Sequence, residues 1–576
     1  LHPYKALTER FQRIDFSRKP TPYNVVEKPL ILNREVERYS GEDFRVNNIV
    51  VVEVLGELVE ATYGPKGLEK MILGGDGVVW VTSDCQTILE KLEFDYPTAK
   101  SIASLVTALG REVGDGRKTA VLLTASFLSE SRKLIEQGFS PHEVIEGYEW
   151  AATRAIQHYR HLAIDLNIAD KLELTRLTSN MFLGEAGKLG ELCVEAALKL
   201  REKLGYNFDL NAVRFTKMEG GTLEESRLVE GFVIRRELAD ESMPRRVSNA
   251  SIMVLKGEIR DKKRGYTDYE HTISVEDPAE IEAVRESRVK RFRETVTRIK
   301  ETGANVVILE QGIDPLAAKM LSDVSIMVVR RFTIEDLERI AQATGAQIIY
   351  DVNDLSNKAL GYARLVEIRK HHGHEWMFIE GCRNPRSLTL LLKGLSERSL
   401  NEWERKLRCA LTALKVAFQN PRVVLGGGAA DLEVSRMLHE EAGDLNPRRR
   451  IIVQRFANSL LYPIEALIKN AGLDPLSILP TMKAKHRGGE KHVGFNALEG
   501  KIADMSTLKI YDSLAVKESA ISSAVEAASV ILRIDDYVKA KTLEGKAKAE
   551  KLIEDSRSRE YKKKLYREHR LETAEP

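Results

Sequence analysis

Cysteine is scarce and scattered. The four cysteines of this 576-residue chain, Cys85, Cys193, Cys382 and Cys409, form no C-x-x-C pair. That excludes a disulfide framework and a cysteine-built metal site, and reads them as buried reduced thiols. Long apolar runs are also missing: no stretch reaches the roughly 18 residues of a membrane span, and the N-terminus has no signal-peptide core, so a cytoplasmic protein with no membrane partner is expected. Nor does charge of one sign dominate. With 88 basic residues against 86 acidic ones, the net charge of +2 points by itself to no acidic partner. His371, His372 and His374 lack a neighbouring cysteine or acid to complete a metal site, and read as a solvated loop between two strands.

What is present is length and charge of both signs. A chain of 576 residues suits three domains of ordinary size. Charged residues make up 30%, above the usual level of about a quarter, as in the ion-pair-rich surfaces of thermophile proteins. Residues 1–27 carry three prolines and a basic bias without periodicity, and read as an extension. Helical spacing follows at Ile49, Val52, Leu55, Leu58 and Val59, a β-rich run at 78–82, and long helical stretches at 120–137 and 141–162, the second opened by Ser140 and Pro141. Gly220-Gly221 marks a change of composition. Beyond it, β-branched runs at 228–234, 250–255, 305–309, 324–329 and 347–350 alternate with helical ones, an α/β unit inserted in a helical protein. Within it, residues 277–299 form a helical pattern so polar that it is expected to project into solvent or to bridge subunits. The tail, 541–576, is a charged helix-former run in which Lys562, Lys563, Lys564, Arg567 and Arg570 interleave with Tyr561 and Tyr566. It reads as a solvated tail, or as a segment that docks, together with the basic N-terminal extension, on an RNA or ribonucleoprotein partner.

The stretch richest in chemistry is Gly114-Asp115-Gly116-Arg117-Lys118-Thr119, which opens onto the apolar run Val121-Leu122-Leu123. Two glycines let backbone N–H groups turn outward, the helix start adds its positive dipole end, and Asp115 could hold a divalent cation against a phosphate. An ordinary Gly-Asp-Gly turn before an ordinary helix would read the same.

Three distant segments add to it: Tyr63-Gly64-Pro65-Lys66-Gly67, Val81-Thr82-Ser83-Asp84-Cys85-Gln86-Thr87, and Leu425-Gly426-Gly427-Gly428-Ala429-Ala430-Asp431. In this order and spacing the four segments resemble the nucleotide pocket of the group II chaperonins, the archaeal thermosome and its eukaryotic cytosolic relatives. The resemblance extends from about residue 28 to 540 and includes Asn470-Ala471-Gly472-Leu473-Asp474-Pro475 and Ile531-Leu532-Arg533-Ile534-Asp535-Asp536. It implies a mixed α and β fold: a helical equatorial domain in two parts (28–158 and 414–540), a small intermediate domain in two parts (159–223 and 378–413), and an α/β apical domain (224–377) whose helical protrusion closes the chamber as a lid. It also implies ATP or ADP with Mg2+ as cofactors, and as partners a non-native or specific client protein and a ring of the same or paralogous subunits.

By the same resemblance, nucleotide contacts fall on Gly64, Pro65, Asp115, Gly116, Arg117, Lys118, Thr119, Gly427, Asn496, Ala497 and Asp512, with Asp115 as the magnesium ligand and Asp84 as one of two acids that position the attacking water. The second acid is absent, and Cys409 stands in its place. Arg117 and Lys118 replace small hydroxyl residues, Cys85 a glycine, and Leu183 a lysine that senses the terminal phosphate. Four departures around one chemical step imply impaired ATP hydrolysis. Two functions stay open, an ATP-driven folding chaperone and a chaperonin-derived scaffold that no longer cycles.

Overall fold

The computed structural model describes residues 37–539, apart from 41, 75–76, 93, 95, 180–181, 183–186, 261–277, 352–353 and 383–387. Both termini, and Leu183, therefore lie outside the described residues.

The three largest hydrophobic cores among the described residues follow from three kinds of sequence pattern. The first is helical and draws on both halves of the chain. Helices Glu42–Glu60, Pro97–Glu112, Arg117–Glu136 and Pro141–Leu162 pack with Ala429–Ala442, Pro447–Ser459 and Leu514–Arg533. Phe127 and Phe456 stack at its centre, 4.6 Å between ring centroids, with Tyr148 tilted against both. The Tyr148 hydroxyl donates to the Phe127 carbonyl, so its one polar atom is satisfied. The start of Pro141–Leu162 is fixed by a capping box: Ser140 Oγ accepts the Glu143 N–H, and the Glu143 carboxylate accepts the Ser140 N–H.

The second core packs helices Lys171–Ser179, Gly187–Leu204 and Glu397–Gln419 against a three-stranded sheet. Leu388–Gly394 runs in the middle of that sheet, parallel to Val213–Glu219 and antiparallel to Arg227–Val229. The third surrounds a mixed seven-stranded sheet in the order Met327–Val329, Val306–Leu309, Arg246–Leu255, Gly361–His371, His374–Cys382, Gly231–Arg235, with Ile348–Ile349 beside Arg246–Leu255. Val306–Leu309 is buried at all four positions, as a parallel strand covered on both faces requires. His371 and His374 close the hairpin, with His372 and Gly373 both at positive φ as a two-residue turn demands.

Helix Pro278–Glu301 takes up the polar stretch, and it does not project along its whole length. Phe292, Val296 and Ile299 fall on one face at i, i+4 and i+7 and are buried in the third core, whereas Arg285, Glu286 and Arg288 nearer its start are exposed. These three apolar residues hold its last turns to the sheet, which leaves only the earlier turns for any projection. The segment before it, 261–277, lies outside the described residues.

The Phe127–Phe456 stack joins segments more than 300 positions apart in the sequence. Phe456→Ala is expected to destabilise the helical core by about 3–5 kcal/mol, read as a lower midpoint in chemical denaturation, while Phe456→Leu costs less than half as much.

Candidate functional site

A cavity of about 500 Å³ opens where the first two cores meet, and every position expected from the sequence to contact a nucleotide lines it, from Gly64 and Pro65 through Asp115–Thr119 to Gly427, Asn496, Ala497 and Asp512, together with Asp84 and Cys409. Close backbone approach makes this possible. Gly114 has φ +77°, and a Cβ there would stand 2.5 Å from the Cys409 carbonyl, so the loop is pressed directly onto helix Glu397–Gln419. Gly427, at φ +61°, lies against the Phe495 backbone, where a Cβ would meet the Phe495 carbonyl at 2.8 Å. Gly116 caps Arg117–Glu136 with no side-chain acceptor, which leaves the N-terminus of a 20-residue helix open to the cavity.

Asp84 follows strand Val79–Thr82 and is the N-cap of Cys85–Lys91. One carboxylate oxygen accepts the Thr87 N–H and the Thr87 hydroxyl, both at 2.8 Å. The other lies 2.6 Å from an Arg405 guanidinium nitrogen and 3.4 Å from one of Arg117. Burial alone would raise its pKa. The Arg405 charge, the Thr87 hydrogen bonds and the Arg117 charge outweigh burial and hold the carboxyl below the usual carboxylate range. Both oxygens are therefore occupied, and the group is a weak base.

Arg117 lies back across Gly110, where a Cβ would clash with its guanidinium, and donates to Cys409 Sγ at 3.3 Å. Burial raises the pKa of the Cys409 thiol despite Arg117 and Arg405 beside it, and burial pushes the Cys85 thiol up to about 12. Both are neutral at pH 7. On the opposite wall Lys118 donates to the Thr62 carbonyl at 2.6 Å, and the Tyr63 and Thr119 hydroxyls share a hydrogen bond of 3.2 Å. The Asp115 carboxylate meets the cavity solvent while protein walls it on its other sides. That desolvation raises its pKa, and its Oδ1 accepts the Gly116 N–H at 2.7 Å. At the far end Asn496 accepts N–H groups of Leu498 and Glu499.

Three charged residues of the cavity, Arg405, Lys406 and Lys517, escaped sequence reasoning, as did the pairing of Asp431. Arg405 stands one helical turn before Cys409, and projecting 402–417 onto a helix would have put the two on one face. Lys517 and Asp431 form a buried pair at 2.8 Å. Lys517 also reaches Asp512 at 3.2 Å, and the Tyr159 hydroxyl donates to Asp431 at 2.5 Å. No local signal marks a pair set 86 positions apart.

Comparison with known proteins finds relatives along nearly the whole chain. The thermosome subunit alpha of Archaeoglobus fulgidus is 37% identical over 522 residues, 89% of this chain and 95% of its own length. The thermosome subunit beta of Thermococcus kodakarensis is 36% identical over 522 residues, with the same shares of the two chains. The thermosome subunit of Pyrococcus abyssi is 35% identical over 529 residues, 91% of this chain and 96% of its own. The model of the TCP-1/cpn60 chaperonin family matches residues 55–542, so with relatives this similar along nearly their whole length the chain belongs to that family.

Proposed function

We propose that this protein is a chaperonin subunit that assembles with copies of itself or related subunits, holds non-native or partner protein, takes ATP or ADP in the cavity, and hydrolyses ATP very slowly or not at all. The observation that carries the reading is the saturation of Asp84. Attack on a terminal phosphate needs a water held by an acceptor with a free lone pair. Asp84 spends its acceptors on Thr87, Arg405 and Arg117, and Cys409 offers a neutral thiol where the family has a second acid. General-base assistance is worth roughly a hundred- to ten-thousand-fold, enough for its loss to decide whether a ring cycles.

The alternative, a scaffold that has stopped cycling and holds one partner, is favoured by the same cluster. Arg117 belongs to the helical core and Arg405 to a helix of the second core, and both converge on Asp84. That joint is tied without help from a nucleotide. Electron microscopy for rings, and protease protection with and without ATP, distinguish the two: a chaperone that still responds changes its protection, and a fixed scaffold does not.

Phosphate release from the purified chain is expected to be slower by about a hundredfold or more than from a thermosome subunit measured alongside. Cys409→Asp alone does not restore it, because Arg117 and Arg405 stand beside the new carboxylate and pair with it. Turnover at the thermosome rate from the parent chain, or from that single variant, contradicts the proposal.

The clamp also predicts a pH dependence. The folded Asp84 carboxyl sits below its unfolded value of about 3.9, so its stabilisation is complete above that value and is lost as pH falls through the folded one. Asp84→Asn should lower stability by about 1–3 kcal/mol at pH 7. The difference from the parent shrinks as denaturation curves are repeated at pH values below 4.

A further inference from the structure

The residues around the cavity leave a divalent cation one unpaired carboxylate at most. Magnesium needs oxygen ligands that are not already engaged, in practice one or two carboxylates beside the phosphates. Four carboxylates face this cavity. Asp84 is paired with Arg405 and Arg117, and Asp431 and Asp512 with Lys517. The fourth, Asp115, accepts the Gly116 N–H on one oxygen and makes no ion pair among the described residues; burial raises its pKa, and the Arg117 and Lys118 charges, which compete there with a cation, act against that. Among the described residues no three His, Cys, Asp or Glu side chains gather as a metal-binding group.

Positive charge, by contrast, is in surplus. Arg117, Lys118, Arg405, Lys406 and Lys517 line the same cavity. Lys118 and Arg117, the two that stand at the helix start, are the ones least committed to a carboxylate. The Lys118 ammonium uses one of its three N–H donors, on the Thr62 carbonyl, and makes no ion pair among the described residues. The Arg117 ion pair with Asp84 is the long one, 3.4 Å against 2.6 Å for Arg405, and its other contact is the neutral Cys409 thiol. Arg117 can therefore turn to another anion while Asp84 stays paired.

Resting on the reading of the cavity as a nucleotide site, we infer that Arg117 and Lys118 take the place of the divalent cation, so that this protein binds the polyphosphate of ATP or ADP without magnesium. A guanidinium and an ammonium at the open N-terminus of helix Arg117–Glu136 supply the charge and the donors that a phosphate chain requires. The same two residues thus account for retention of nucleotide where no divalent cation is bound.

The test is nucleotide affinity of the full chain, stripped of nucleotide, by titration calorimetry with ATP and with ADP, in excess magnesium and in EDTA. The dissociation constant in EDTA is expected to stay within about threefold of that in magnesium. In the Arg117→Thr/Lys118→Thr double variant, affinity in EDTA should fall by about thirtyfold or more, with part of the loss recovered when magnesium is added. That recovery also reports a folded variant. Binding by the parent chain only when magnesium is present overturns the inference and leaves the nucleotide reading standing, as does a double variant that binds as well as the parent in EDTA. No binding under either condition removes the nucleotide reading, and the inference with it.

Discussion

The ion pair between Arg405 and Asp84, 2.6 Å long and set in the seam between two hydrophobic cores, is the contact on which the chemistry of this protein depends. It fixes the protonation state of the carboxylate, fills the lone pair a reacting water would need, and joins helix Glu397–Gln419 to the strand-to-helix turn that carries Asp84. An aspartate in that position without a cation would be costly to bury and would be a stronger base. With two cations it is stable and a poor base. The chain belongs to the family, and in the proposed reading the reactive character of one carboxylate is traded for a structural one.

That contact exists only because the chain visits each core more than once. Arg117 comes from the first pass through the helical core, Arg405 and Cys409 from the segment that returns from the α/β sheet, and Asp431 and Lys517 from the last pass. Glycines at 110 and 114 clear the space in which these passes approach: one makes room for the Arg117 guanidinium, the other admits the Cys409 carbonyl against the loop. Packing of this kind couples residues that have no relation in sequence. It is also why substitutions around one cavity should be read together rather than one at a time.

What sequence reasoning could reach was local or periodic. The glycine-bracketed Asp115 at a helix start, the Ser140 and Pro141 helix entry, and the β-branched runs of the inserted sheet each declare themselves within a few residues. So did the turn at His372 and Gly373, although nothing local showed that the strands flanking it, 361–371 and 374–382, make the longest pairing of the sheet. The half-packed helix Pro278–Glu301 was read as too polar to be held, because its charged residues dominate the 24 positions, yet the three apolar residues that reach the core, Phe292, Val296 and Ile299, suffice to anchor two turns. Arg405 and the Asp431–Lys517 pair were invisible for another reason. Their partners are set by tertiary approach, and charged residues are common enough in this chain that no single one stands out.

A crystal structure of the chain soaked with ATP and magnesium tests the central claim most directly. This account predicts an intact triphosphate in the cavity with Arg117 and Lys118 on its oxygens, Arg405 still on Asp84, and no water held by that carboxylate. ADP with a magnesium ion on Asp115, and Asp84 released from Arg405 to hold a water, would contradict it.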